Sequence, residues 1–322
     1  MNTNDSNSSE KILVNDYLQE CNGLLKSGFN KTRVKDFTKK YLDRQLYGPK
    51  LSKSFDPSIL KSLRDRSALE VQNLILNGQV SYAEVVEQYH QIKVNHKNAN
   101  CWLTWSRFEE PLKRAKELDS ELQGLGPEKM KEKYPLLGFV MSIKDCIYAK
   151  DTPNTGGLFI NLDRVATEDP EMIKALKNKG AVFTSKGNVP QMLFAFESDN
   201  NLFGEAVHEL DKTRTVGGST GGDSAMVSFG YTNCAMGSDI GGSLRIPALF
   251  NGICSLKPTS RRLSTQAQPN FFSRNFGSDQ LNPQKVVSAE DKQFIIPVTV
   301  GPLAKKVEDL EVMMKVMLED QN

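Results

Sequence analysis

Pro135-Leu136-Leu137-Gly138-Phe139-Val140-Met141-Ser142-Ile143-Lys144 is the stretch on which the fold turns. Its second half is a short apolar run that suits a buried strand, and it ends in a lysine. Downstream, Asp169-Pro170-Glu171 predicts a helix start, with an N-cap and a proline in the first turn, and Gly180 after Lys179 provides the stop. Ala181 to Thr184 then reads as another strand. Strand, helix, strand in succession argues for an α/β core.

Upstream of that core the texture is helical. Leu60 to Leu76 and Tyr82 to Val94 predict two helices joined at Asn77-Gly78, and Phe108 to Leu122 predicts a third. Glu128 to Lys133 mixes both charge signs after Pro127 and reads as a solvated loop or helix end. Residues 1–15 open with a polar, low-complexity run, expected to be a disordered tail. Downstream, Ala225 to Phe229 reads as the start of a helix, and Thr232 to Met236 as a strand. Asn270 to Asp291 reads as a polar loop, Phe294 to Val300 as a last strand and Val307 to Leu318 as an amphipathic helix. No internal repeat is present.

With 322 residues and 39% hydrophobic content, the chain can bury a substantial core, so a globular enzyme is the natural class. Forty-one basic against 39 acidic side chains leave a net charge of +2, which sets up no strong field toward nucleic acid or an anionic membrane. The 5 cysteines, Cys21, Cys101, Cys146, Cys234 and Cys254, are widely spaced without a Cys-x-x-Cys pair. They read as reduced thiols in an intracellular protein, neither a disulfide framework nor a metal site. The N-terminus has no basic start and apolar core of a signal peptide, and no run of about 18 apolar residues offers a membrane span.

Two glycine-rich runs carry the chemistry. In Ser238-Asp239-Ile240-Gly241-Gly242-Ser243-Leu244-Arg245, Gly241 and Gly242 lack Cβ atoms, so a reacting group can approach the backbone closely. The N–H groups of Ile240, Gly241, Gly242 and Ser243 can then point inward as an anion-binding nest, as acyl transfer requires. Taken alone, the run is equally an ordinary turn. Gly217-Gly218-Ser219-Thr220-Gly221-Gly222-Asp223 precedes the predicted helix. A phosphate loop would need a Gly-Lys-Ser/Thr ending, and Asp223 stands there instead. Lys144 alone is an ordinary solvated strand end. Both serines need a base, however, and His90, His96 and His208 fall on polar or charged stretches expected at the surface. Ser58-Ile-Leu-Lys61 fits Ser-x-x-Lys, but the Ser-Asp-Asn and Lys-Thr-Gly partners of a β-lactamase are missing.

Ser142-Ile-Lys144-Asp145, Gly217-Gly-Ser219-Thr-Gly-Gly222, Asp239-Ile-Gly-Gly-Ser243 and Leu256-Lys-Pro-Thr259 together resemble the amidase signature family. Asn188-Val-Pro-Gln191, Asn201-Leu-Phe-Gly204 and Gly252-Ile-Cys254 resemble its fatty acid amide hydrolases more than its glutamine-using transamidosome subunits. The similarity runs from about Val80 to Leu318.

The resemblance implies an α/β fold, a mixed sheet flanked by helices, with a helical lead-in over 16–130 and a catalytic core over 131–322. It implies Ser243 as nucleophile, Ser219 as bridging serine and Lys144 as base, with a cis peptide bond between Gly218 and Ser219. The oxyanion would rest on Ile240, Gly241, Gly242 and Ser243, and Leu193 would line an acyl channel. Met192-Leu193-Phe194 is equally readable as plain core. The implied reaction is hydrolysis of a carboxylic amide, a fatty acid amide in kind, with no cofactor and no metal.

The family domain continues well past the segment matching Val300 to Ala304 and the helix after it, so the expected domain, 16–322, is incomplete at its C-terminus. This carries a rival expectation: a truncated, inactive relative, or an incomplete gene model, that at most binds lipid or a partner. The expected partners are a small amide and a membrane surface touched only peripherally, with no nucleic acid, and a homodimer stays open. The expected location is the cytoplasm.

Overall fold

The apolar run ending in Lys144 is the strand around which the sheet is built. The computed structural model describes residues 6–47, 63–95, 102–264 and 297–319. Six strands, β1 (Leu103–Ser106), β2 (Val140–Lys144), β3 (Val182–Gly187), β6 (Cys234–Asp239), β7 (Cys254–Ser255) and β8 (Thr299–Ala304), lie in the order β1-β3-β2-β6-β8-β7. A separate hairpin pairs β4 (Asp199–Asn200) with β5 (Gly204–Glu205). β2 is parallel to both neighbours, β3 and β6, whereas β1, β7 and β8 are antiparallel to theirs. A central parallel strand is covered on both faces, which is why β2 reads as a continuous apolar run.

The helices are α1 (Ser6–Lys26), α2 (Lys31–Tyr47), α3 (Ala68–Leu76), α4 (Tyr82–Asn95), α5 (Glu109–Leu125), α6 (Pro127–Lys133), α7 (Glu171–Asn178), α8 (Gly221–Ser228), α9 (Arg245–Asn251) and α10 (Val307–Glu319). Side chains of β2 alternate between two cores, as the strand's period of two requires. Val140 packs with α3, α4 and α8 through Val71, Tyr89, Ala225 and Met226. Met141 and Ile143 pack with α7 and α10 through Ile173, Leu176, Leu310 and Met313. Fully burying a side chain of this size contributes about 1.5–3 kcal/mol.

Several expectations are corrected. Residues 1–15 are not a disordered tail throughout, because α1 begins at Ser6. Val14, Tyr17, Cys21 and Leu24 recur every three or four residues and pack with Val34, Phe37 and Tyr41 of α2 against Trp105, Leu162 and Leu202. Tyr17 alone meets the rings of Phe37, Tyr41 and Trp105 at 5.1, 5.1 and 5.4 Å.

The helix expected from Leu60 to Leu76 is interrupted before Ala68. Ser67 Oγ accepts from Glu70 N at 3.2 Å while Ser67 N donates to Glu70 Oε2 at 2.7 Å, a reciprocal cap that starts α3 afresh. Asp309, in the first turn of α10, accepts from Ala68 N and Leu69 N at 3.3 and 3.0 Å and caps the same end from across the molecule. Asp169 does not cap α7; its carboxylate takes Lys150 N at 2.8 Å and Lys177 Nζ at 2.7 Å.

The last strand lies later than Phe294 to Val300. It zips against β6 from Asp239↔Thr299 to Cys234↔Ala304, through a Gly301-Pro302 pair that reads as punctuation. The loop expected over Asn270 to Asp291, together with Ser58, Lys61, His96 and Cys101, lies outside the described residues. Among the described cysteines, Cys21, Cys146 and Cys234 are buried free thiols and Cys254 is a partly exposed one.

Candidate active site

Lys144 sits at the carboxyl end of β2 with no exposed surface. Its Nζ lies 2.7 Å from Ser219 Oγ, 3.1 Å from Ser238 Oγ and 3.2 Å from Ser238 O. An ammonium can donate to all three oxygens. A neutral amine can donate only two hydrogens, which Ser238 O and Oγ can accept, and its lone pair then faces Ser219. Burial pushes the Lys144 ammonium below its ordinary value, against the opposing influence of Cys146, Asp223 and Asp239.

Ser219 follows a cis peptide bond after Gly218 and precedes α8. The loop Ala195–Glu197 lies against Gly218, where a Cβ would meet Ala195 O at 2.9 Å and Glu197 N at 3.0 Å.

Ser243 stands on the turn between β6 and α9, and its carbonyl accepts from Thr220 N at 3.2 Å. The backbone therefore sets Ser243 beside the Ser219-Thr220 segment. Among the described residues no hydrogen bond joins the Ser243 and Ser219 hydroxyls.

The turn carrying Ser243 is organised by Asp239. Its carboxylate accepts from Gly242 N at 2.9 Å and Leu244 N at 3.0 Å and takes Arg245 Nε and Nη2 at 3.1 and 3.0 Å. Burial pushes this carboxyl up, but the Arg245 guanidinium and the two N–H groups outweigh it and hold the group below its ordinary value. Gly242 adopts φ +118°, a conformation glycine tolerates and other residues rarely adopt.

The Gly242 N–H is committed to the Asp239 carboxylate, which leaves the N–H groups of Ile240, Gly241 and Ser243 on the same turn. None of these three N–H groups is hydrogen-bonded among the described residues.

Asp145 turns to other partners than Lys144. It accepts from Thr104 Oγ1 at 3.0 Å, Thr155 N at 3.1 Å, Gly156 N at 2.9 Å and Thr155 Oγ1. Lys186 Nζ approaches it to 3.9 Å and donates to the carbonyls of Asp145, Ile147 and Pro153 and to Asn154 Oδ1.

Leu193 packs on the core shared by Met141, Ile143 and α10, and both Met192 and Leu193 have positive φ, +58° and +66°. The next aromatics point outward: Phe194 and Phe196 are 73% and 61% exposed.

The histidines do not behave as one surface set. His90 is buried and stacks on Phe108 at 4.2 Å, while His208 is half-buried with its ring edge-on to Phe229. Asn188, in a motif that carries the resemblance, has a scaffolding part: it accepts from Asn200 Nδ2 at 2.7 Å and donates to Gly204 O at 3.0 Å. Ser238 was legible only as a polar residue at a strand end. Among the described residues no cluster of histidine, cysteine or carboxylate side chains could hold a metal ion.

The mixed sheet flanked by helices is the fold shared with the amidase-signature structures. The sequence pattern described as Amidase matches residues 84–322, and the chain belongs to that family. Amidase FG08078 of Gibberella zeae is 31% identical over 251 residues, which cover 78% of this chain and 42% of that protein. Fatty-acid amide hydrolase 2 of Homo sapiens is 30% identical over 275 residues, 84% of this chain and 48% of that one. A solved fatty acid amide hydrolase superposes with a TM-score of 0.69 at 26% identity, over 96% of this chain and 51% of its own. The chain spans about half the length of the curated relatives it matches. Among the described residues no helix is long and apolar enough to cross a membrane.

Proposed function

We propose that this chain carries the acyl-transfer half-site of a serine amidase, in which Lys144, Ser219 and Ser243 form a relay that hydrolyses carboxylic amides through an acyl-enzyme. The observation that carries this reading is the buried contact of 2.7 Å between Lys144 Nζ and Ser219 Oγ. Neutral Lys144 takes the Ser219 proton as Ser219 takes that of Ser243, and Ser243 Oγ attacks the amide carbonyl. Charge on the carbonyl oxygen then falls on the N–H groups of Ile240, Gly241 and Ser243. The proton returns through Ser219 to the leaving nitrogen, and water releases the acid from Ser243.

An apolar acyl chain suits the surroundings. Phe196 is exposed on the loop against Gly218 with Phe194 exposed just before it, Ile240 is 49% exposed at the nest, and Leu193 packs on the core. A fatty acid amide is therefore the substrate class proposed, with Leu193 beside the acyl chain.

The competing reading is binding without turnover, and the missing hydrogen bond between the two serine hydroxyls favours it. Labelling with a fluorophosphonate serine probe separates the two. The wild type is expected to be labelled, with Ser243→Ala unlabelled and Lys144→Ala labelled far more slowly. A folded wild type that takes no label overturns the relay.

A further inference from the structure

We infer that the turn joining α1 to α2, together with the turn Phe159–Asn161 that packs beside it, is a docking surface for an anionic lipid bilayer. None of its residues belongs to the relay, and the inference stands without it.

Charge is segregated along the α1–α2 hairpin. Residues 21–35 hold Lys26, Lys31, Arg33 and Lys35 and no acidic side chain. The acids of the hairpin are paired further from the turn: Asp16 with Arg44 at 3.0 Å, Glu20 with Lys40 at 2.6 Å, and Asp43 with Lys39. The four basic side chains around the turn are exposed, and none of them is ion-paired among the described residues. Asp36, after Lys35, and Asp163, after the Leu162 that Tyr17 holds, are the acids bordering this region. The local balance stays basic, which the chain's overall charge of +2 conceals.

The same turn carries an apolar tip. Gly28, at φ +80°, reverses the chain after α1. Asn30 then caps α2, accepting from Arg33 N at 3.0 Å with its side chain and from Val34 N at 2.9 Å with its carbonyl. Phe29 is caught between the two and stands at the apex, 51% exposed, its ring edge-on to Phe159 at 5.3 Å. Ile160, next along, is 62% exposed. Both turns are fixed from beneath, for Tyr17 Oη donates to Leu162 O at 2.8 Å and Thr38 Oγ1 to Leu202 O at 2.9 Å.

A bilayer with anionic headgroups satisfies both halves of this surface. Lysine and arginine lie among the headgroups, while Phe29 and Ile160 enter the boundary with the acyl chains. A second copy of this chain would set like charges face to face. A nucleic acid would be held through its phosphates and leave Ile160 in water. The contact is also tied to the loop that carries Leu193. Met192 N donates to Gly156 O at 2.8 Å, and Gly157 lies so close to Gln191 that a Cβ there would stand 3.0 Å from its Cα. Residues 156–160 therefore run from that loop to the bilayer contact.

The test is co-sedimentation of the chain with vesicles of phosphatidylcholine alone and of phosphatidylcholine with about one-third phosphatidylserine. Binding is expected to the second only, and to weaken as salt rises from about 0.1 to about 0.5 M. Lys31→Ala and Lys35→Ala should each weaken it by about fivefold, and Ile160→Ser should weaken it at every salt concentration. Absence of binding to the phosphatidylserine vesicles overturns the inference. So does binding that survives the double variant Lys31→Glu, Lys35→Glu, or that survives Ile160→Ser, since docking then lies elsewhere. Single-stranded DNA that binds as tightly, with loss in the double variant but not in Ile160→Ser, makes this a polyanion surface and overturns the lipid assignment. Phe29→Ala is a further check, with circular dichroism to show that the hairpin is intact after its ring contact is lost. Fluorophosphonate labelling without vesicles should be the same in all these variants as in the wild type, so failure of this inference and failure of the relay are read separately.

Discussion

Asp145→Ala is expected to cost about 5 kcal/mol of stability, a large share of the roughly 5–15 kcal/mol of a typical domain. The substitution strips the partner from two backbone N–H groups, Thr155 at 3.1 Å and Gly156 at 2.9 Å, both buried. A buried donor left unmade costs about 1–3 kcal/mol, and the low end is taken for each of the two. It also removes the only carboxylate within 4 Å of the Lys186 ammonium among the described residues. Breaking a buried ion pair costs about 3–5 kcal/mol. Lys186 keeps three carbonyls and Asn154 Oδ1 as acceptors, so the low end of that range applies. The hydroxyls of Thr104 and Thr155 can rotate to other acceptors and add little. At about 2 °C per kcal/mol for a chain of this size, the melting temperature should fall by roughly 10 °C. The assay is thermal unfolding followed by circular dichroism, with Asp145→Asn as an intermediate case because it retains one acceptor oxygen. A fall of less than about 3 °C would refute the claim that Asp145 anchors the turn after β2.

Gly187→Ala drives a methyl into the Asp223 carboxylate and should cost about 1–3 kcal/mol, read as a lower urea midpoint with an unchanged slope. Lys93 is buried on α4, with Nζ 3.0 Å from Ser185 Oγ, and burial pushes it down to about 7. Its folded value lies below its unfolded one, so stability should rise between pH 7 and 10 by up to ~1.4 kcal/mol per unit. Lys93→Met should remove that part of the slope in urea titrations across the range. Asp239→Ala frees the Gly242 and Leu244 N–H groups and should slow fluorophosphonate labelling more than Arg245→Ala, which leaves both bonds in place; equal effects would show that the turn does not depend on Asp239. Asp309→Ala uncaps α3 and should cost about 1 kcal/mol in the same denaturation experiment.

The parts legible in the sequence were those set by local pattern. The strand at Lys144, the helix closed by Gly180 and the strand after it follow from short-range apolar runs and punctuation. The glycine runs likewise displayed Ser219 and Ser243 directly. What was missed depended on which elements become neighbours. Ser238 serves Lys144 only because β6 pairs with β2, and Asp223 is buried only because α8 lies across Gly187. The bond made by Gly242 was not legible, because a sequence shows that Gly242 can donate, not that Asp239 has already taken its N–H. His90 sits on a polar stretch, yet stacking on Phe108 turns it inward. The first two helices were hidden by polar composition around a sparse apolar stripe, whose value appears only once Trp105 and Leu162 cover it.

The cap that Asp309 places on α3 joins residues 241 positions apart, and the full ladder of β6 is made by β8. A chain emerging from the ribosome completes β6 roughly 60 residues before its partner strand begins, several seconds of synthesis at ~5–20 residues per second. Throughout that interval the strand leading into the Ser243 turn is a bare edge, open to pairing with any other extended chain. The turn that carries Ser243 therefore leans on a strand whose second edge stays unpaired until synthesis reaches Thr299.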